Sequence, residues 1–190
     1  MININNLETD KQLVFLAKAN PDDFQGIMAR YWNRLFGYVK RMSYFSQEDI
    51  EDILQEVFIK VYRYLNDYDE TMTFSTWIYR ITRNCVIDEI RKRKSRPKNV
   101  QLEAQEWQKI FLDKLNLEKE LSVKISLEKI EKIIAGLPFE YKEVLVLRFL
   151  EEKTYEEMMD ILQKSKGTVA SLIARGRKML LKEIERKEVV

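Results

Sequence analysis

Apolar residues in this chain recur every three or four positions, and the alternation of a strand is nearly absent. That rhythm predicts an all-α protein. Leu13, Leu16 and Ala17 mark a short first helix. In "NPDDF", Asn20 is a candidate N-cap and Pro21 takes the first helical position. Phe24, Ile27, Met28, Tyr31, Leu35, Phe36 and Val39 then trace a longer second helix. Ile50, Ile53, Leu54, Val57, Phe58, Val61 and Leu65 form the regular stripe of a third. A fourth helix is expected from about Ser75, after the turn-like "NDYDETMT", and Pro97 ends it because its ring keeps Arg96 out of helical geometry.

The pattern loosens beyond that proline. Trp107, Ile110, Phe111 and Leu115 fit a short amphipathic helix, but the spacing from Lys98 to Ile125 is irregular and reads as a linker. Order returns at Ser126 with Leu127, Ile130, Ile133 and Ile134, and Gly136 stops it. "LPFEYKEVLVLRFLEE" opens another helix with Pro138 near its start. Thr154 and Glu157 have capping-box spacing before a short helix. A turn at Gln163 to Ser165 leads into a last helix with Val169, Ile173 and either Met179 or Leu180 inward. Two helices joined by a tight turn suggest a helix-turn-helix.

Composition removes several classes of function. The 190 residues are 45% hydrophobic and 34% charged, which suits a folded chain of one large or two small domains. Apolar runs are too short to span a membrane, and "MININNLETD" lacks the basic and apolar regions of a secretion signal. Cys85 is the single cysteine, which fits a reducing compartment, and the cytoplasm is the expected location. Without histidine, imidazole-based triads and the usual zinc sites are ruled out. The five glycines are too scattered for a phosphate-cradling loop, and the carboxylates lack calcium-loop spacing. Neither a cofactor, a metal nor catalysis is expected.

Charge then singles out three places. In "FSTWIYRITRNCVIDEIRKRKSR", Phe74, Ile78, Ile81 and Cys85 share a core sector, and Arg80, Asn84, Asp88 and Arg91 share a neighbouring stripe. Trp77 falls on the border, as core residue or base-stacking platform, and Lys92, Arg93, Lys94 and Arg96 complete a basic end. A solvated C-terminal turn is one reading of that end, since cations complement the helix dipole by about 0.3–1 kcal/mol each. Further cations only crowd like charge, which a phosphate backbone relieves through counterion release. Asn84 adds a group suited to a base edge.

The third helix has the opposite sign. Asp52, Glu56 and Arg63 lie opposite its apolar stripe, flanked by Asp49 and Gln55. The pair Asp52 and Glu56 costs an isolated helix about 0.2–0.5 kcal/mol, partly offset by Lys60. This face is either solvated surface or a dock for a basic protein. At the far end, Lys164, Ser165, Lys166, Thr168, Ser171 and Arg175 occupy the exposed start and face of the last helix, with Arg177 and Lys178 behind. Ala170, Leu172 and Ala174 have no donor for a base edge.

Together the three stretches resemble the extracytoplasmic-function (ECF) group of bacterial sigma factors, compact members of the sigma-70 family. "DIEDILQEVFIKVYRYL" resembles the segment that docks on the β′ clamp helices of RNA polymerase. "FSTWIYRITRNCVIDEIRKRK" resembles the promoter-melting, minus-ten-reading segment, and the stretch from Leu137 to Leu180 the minus-thirty-five-reading helix-turn-helix. The resemblance implies a region 2-like helical bundle over residues 1–97, a linker over 98–125 and a region 4-like domain over 126–186. It implies that Asp49, Asp52, Gln55 and Glu56 touch core polymerase. Trp77, Arg80, Arg83, Asn84, Asp88, Arg91, Lys92 and Lys94 would serve minus-ten DNA, with Asn84 near an extruded base. Lys164, Ser165, Lys166, Thr168, Ser171, Arg175, Arg177 and Lys178 would serve minus-thirty-five DNA. The implied partners are core RNA polymerase (mainly β′, also β), promoter DNA and an anti-sigma factor, without membrane insertion.

The chain departs from that pattern in its second domain. The recognition helix usually carries basic residues where Ala170 and Leu172 stand, and the turn usually has glycine and an apolar residue in place of Gln163 and Lys164. Each lost bidentate contact removes about 1–3 kcal/mol of discrimination, so weak upstream readout is expected. Two other classes are weighed against the sigma factor. A dimeric helix-turn-helix regulator acting without polymerase leaves the acidic and basic helices of the first half without a purpose. A metal-dependent nuclease lacks a convincing carboxylate cluster.

Overall fold

The computed structural model describes residues 9–93, 133 and 136–188, and every regular element among them is helical. The chain divides into two compact units, Met1–Val100 and Gln101–Val190.

In the first unit, Thr9 and Gln12 form a capping box that starts α1 (Asp10–Ala19), each satisfying a backbone N–H of the other. Leu13, Val14 and Ala17 are its buried residues, while Leu16 is only half-buried. Asn20 caps a 3₁₀ turn (Pro21–Asp23), accepting from the Asp22 N–H at 3.2 Å, and the turn runs into α2 (Phe24–Met42). That helix buries Phe24, Ile27, Tyr31, Leu35, Tyr38, Val39 and Met42; Met28 is exposed and Phe36 half-buried. Ser46 and Asp49 make the capping box of α3 (Gln47–Tyr64), whose predicted stripe is buried throughout, with Leu65 buried in the 3₁₀ turn that follows. Thr73 starts α4 (Phe74–Arg93) by accepting from the Thr76 N–H at 3.2 Å.

Aromatic pairs run through the mainly aliphatic core between these helices. Trp32 stacks on Phe58 with centroids 5.8 Å apart, and Tyr31 meets Phe74 edge-on at 5.5 Å. Tyr68 packs against both Phe74 and Trp77, and Tyr38 against Tyr79. Such pairs add about 0.5–1.5 kcal/mol each beyond the area they bury. Because α4 packs on α1, α2 and α3, its buried arc is wider than one apolar sector and rotates away from Ile81. Ile81 is half-buried, and Thr82 is buried in its stead, its hydroxyl donating to the Ile78 carbonyl at 2.8 Å.

In the second unit, α5 (Phe139–Leu145) continues into a π-helical turn (Val146–Leu150), where the sequence predicts one uninterrupted helix. The Glu151 N–H reaches the Val146 carbonyl at 3.0 Å, and Glu152 leaves the turn with φ 54°. Then come α6 (Tyr155–Leu162) and α7 (Lys166–Glu188). α7 crosses close to α5 at Gly176, where a Cβ would lie 3.2 Å from the Tyr141 Cβ. Of the helix predicted from Ser126, Ile133 is helical and buried. The rest of it, the linker over 98–125 with Trp107, Ile110, Phe111 and Leu115, and Pro97 lie outside the described residues. No helix among the described residues is long and apolar enough to cross a membrane.

Candidate polymerase and nucleic-acid surfaces

The outer face of α3 is built by its own periodicity. With the apolar stripe turned inward, Asp52, Gln55 and Glu56 are all exposed. Glu56 pairs with Lys60 at 2.7 Å, the (i, i+4) offset expected for adjacent carboxylates, and this bond holds its carboxyl below the usual range. Lys60 also donates to the buried Cys85 Sγ at 3.3 Å, so the ammonium leans from α3 onto α4. Burial pushes the Cys85 thiol up, so its sulfur is an uncharged acceptor. Ile59 and Tyr62 stand among the carboxylates, about half exposed, four and seven residues after Gln55. Neither belongs to the expected docking set Asp49, Asp52, Gln55 and Glu56. Their signal was available as apolar residues out of phase with the buried stripe.

Asp49 belongs elsewhere. It is the N3 residue of the α3 capping box, and its two oxygens accept from both terminal nitrogens of Arg93 at 2.6 and 2.7 Å. That guanidinium, more than any other neighbour, holds the Asp49 carboxyl far below the ordinary carboxylate range. Asp49, expected on the outward acidic face, thus directs both carboxylate oxygens to a partner inside the unit. Arg93 is likewise withdrawn from the free basic end.

On α4, Asn84, Asp88, Arg91 and Lys92 are exposed, and Arg80 and Arg83 are half-buried. Arg91 faces Asp88 at 3.5 Å, and Lys92 faces Glu89 at 3.7 Å. These are surface pairs worth about 0–1 kcal/mol, which a phosphate would exchange readily. Trp77 is core, only 7% exposed, wedged between Tyr68 and Phe74. Its ring faces are covered by protein, so the base-stacking role is withdrawn. Lys94 lies outside the described residues.

The helix pair of the second unit is fixed by local chemistry. Thr154 and Glu157 form the predicted capping box of α6. Lys153 reaches Glu157 at 3.4 Å, while Arg148 donates to the Lys153 carbonyl at 3.0 Å and lies over the Tyr155 ring. Met158, Ile161 and Leu162 turn inward. Gln163 then takes a left-handed φ of 54°, a conformation that suits glycine, and its side-chain amide donates to the Asp160 carbonyl at 2.7 Å. Ser165 accepts from the Thr168 N–H at 3.4 Å and starts α7.

Lys164 and Ser165 in the turn and Lys166, Thr168, Arg175 and Lys178 on α7 are exposed, and Ser171 and Arg177 are half-buried. Lys166 meets Glu156 of α6 at 3.2 Å across the turn. Leu172 is buried beside Val169 and Ile173, and Leu180 rather than Met179 is the inward residue. Leu172 is thus a core position at which no base contact is lost; Ala170 and Ala174 are exposed without a donor.

Known proteins place both units in one family. The model "Sigma-70 region 2" matches residues 27–96, and "Sigma-70, region 4" matches residues 127–180. The ECF RNA polymerase sigma factor SigW of Bacillus subtilis is 32% identical, the alignment covering 92% of this chain and 95% of that protein. The ECF RNA polymerase sigma-E factor of Haemophilus influenzae is 31% identical over 93% of this chain and 96% of its own length. Among solved structures, CnrH in complex with the cytosolic domain of CnrY covers 94% of this chain and 99% of its own, with a TM-score of 0.68 at 22% identity. The sigma factor RpoE of Bartonella quintana, in complex with the anti-sigma factor NepR, covers 86% of this chain and 97% of its own, with a TM-score of 0.66 at 18% identity. These two share the fold. Both halves match in order and the curated relatives align almost end to end, so the chain belongs to the ECF RNA polymerase sigma factors.

Proposed function

We propose that this chain is a promoter-specificity subunit: it binds core RNA polymerase through α3, opens and reads minus-ten DNA with α4, and contacts upstream duplex with α7. The observation that carries this reading is the opposed chemistry of α3 and α4 in one unit. α3 shows Asp52, Gln55 and Glu56 to a basic partner, with Ile59 and Tyr62 giving apolar area at the centre of the dock. α4 shows Arg80, Arg83, Asn84, Arg91 and Lys92 to a nucleic-acid strand. A dimeric regulator acting on duplex DNA alone uses only the second unit and leaves this pairing idle.

The mechanism follows from the side chains. Polymerase holds the duplex, and the α4 cations stabilise the phosphates of the strand that separates. Extruding a base loses stacking of a few kcal/mol, which the bound strand and the Asn84 amide offset. Lys164, Lys166, Arg175 and Lys178 hold upstream phosphates and set the register of α7. Two small domains over residues 1–97 and 126–186, joined over 98–125, suit these separate tasks. An anti-sigma factor that covers the α3 face is a further partner of this reading, and the sigma factor RpoE of Bartonella quintana is bound to one. No step calls for catalysis by this chain, and the bacterial cytoplasm is where its partners meet.

The test is to mix the purified chain with bacterial core polymerase and assay complex formation and promoter-dependent transcripts. A stable complex with specific transcripts is expected. Replacing Asp52 and Glu56 together with lysine should weaken the complex by at least about a hundredfold, as reversed charges at a dock cost several kcal/mol. The circular dichroism spectrum should not change. Undiminished affinity in that variant removes α3 as the dock, and duplex binding unaided by polymerase removes the reading altogether.

A further inference from the structure

We infer that Asp49 and Arg93 form an internal lock that sets the DNA-facing helix α4 against the polymerase-facing helix α3, and that neither residue is a contact for an outside partner. This rests on the sigma-factor reading given above. The pair joins positions 44 residues apart, the first turn of α3 and the last described residue of α4. Both terminal nitrogens of Arg93 donate to the two oxygens of Asp49, and its Nε donates to Glu89. The guanidinium carbon also lies 4.5 Å from the centroid of the Phe45 ring, just before α3. Asp49 in turn accepts from the Ser46 N–H at 3.1 Å.

Those bonds define what the pair does. A planar fork held by two parallel hydrogen bonds and stacked on a ring resists rotation as well as separation. The charges also suit their places, a carboxylate at the N-terminus of α3 and a cation at the C-terminus of α4. Fixing the rotation of α4 fixes where Arg80, Asn84 and Arg91 lie relative to Asp52, Gln55 and Glu56. Arg93 is therefore a positioning residue: it transmits the polymerase-bound orientation of α3 to the strand-reading stripe. A lysine in its place keeps the charge and loses both fork and stack.

The test uses the full chain, core polymerase and a promoter selected by the wild-type holoenzyme from a randomised library. Variants are Asp49→Asn, Arg93→Met, Arg93→Lys and the double Asp49→Asn/Arg93→Met, with Arg91→Met as a phosphate-contact comparison. Core affinity should stay within about twofold for Asp49→Asn, since no docking charge is removed. Open-complex formation, read by permanganate reactivity, should fall about five- to twentyfold in either single variant, and the double should be no worse, because coupled residues are non-additive. Arg93→Lys should fail to rescue. The salt slope of promoter binding should be unchanged by Arg93→Met and should drop by roughly one for Arg91→Met.

A tenfold loss of core affinity in Asp49→Asn overturns the inference by making Asp49 a docking residue. Rescue by Arg93→Lys, or a slope lowered by Arg93→Met, overturns it by making Arg93 a phosphate contact. Additive effects in the double variant overturn it too. If Arg93→Met does not fold, the isosteric Asp49→Asn, which keeps the cap acceptor, decides the matter. Failure of the wild-type chain to engage core polymerase instead defeats the sigma-factor reading; non-additivity of the same variants in thermal unfolding then still tests the lock.

Discussion

Lys142 shows how burial sets the titration of one side chain. It stands on α5 with 5% of its surface exposed, and burial depresses its ammonium to about 8. In the unfolded chain the group keeps its ordinary value, about 10.4. Between those values the unfolded state binds more protons than the folded one, so stability rises with pH across that window and the gain is lost as pH falls below it. The 13C resonance of the Lys142 Cε should titrate near 8. Lys142→Met should flatten the rise of thermal stability between about pH 8 and 10.4. Titration of Lys142 at the ordinary lysine value, about 10.4, contradicts both expectations. Gln163 is the second residue under local constraint, since its left-handed backbone costs about 1 kcal/mol that a glycine avoids.

At the scale of elements, the approach of α7 to α5 depends on a missing side chain. Gly176 is buried, and a Cβ there would meet the Tyr141 Cβ at 3.2 Å and the Leu145 side chain at 3.4 Å. Gly176→Val should therefore cost about 1–3 kcal/mol by overpacking. Chemical denaturation of the full chain should show that loss in the transition of the second unit alone, and an unchanged midpoint would mean that the two helices yield without strain. The sequence foretold the helices but not this contact, and the division is physical. Capping boxes at Ser46 and Thr154 and the stripe from Ile50 to Leu65 are written within a few residues of themselves. What pairs with Asp49 is 44 residues away, and only the crossing of α3 and α4 reveals it. In the same way, one face of α4 looked apolar through Ile81, yet packing against three helices turned the buried arc onto Thr82 and closed Trp77 inside. That Leu172 faces the core depends on the turn geometry that sets the rotation of α7.

Across the whole molecule, 33 basic side chains against 31 acidic ones leave a formal charge of only +2, so net charge gives little general attraction for DNA. Binding must come from local patches, and the two units offer different kinds. On α4, Asn84 is suited to a base edge, whereas the exposed face of α7 carries lysines and an arginine around Ala170 and Ala174, which offer nothing to a base. Phosphate contacts respond to salt but not to sequence, while a lost base contact removes about 1–3 kcal/mol of discrimination. Scrambling the upstream element should therefore lower transcription by the holoenzyme less than about tenfold, the scale of a single base contact. Scrambling the minus-ten element should abolish it. Raising salt from 50 to 200 mM should weaken both promoters in parallel, because the phosphate contacts remain the same in each. Abrupt loss of transcription on scrambling upstream bases alone would mean that α7 reads sequence through Lys164, Lys166 or Arg175, and the division of labour between the units would have to be redrawn.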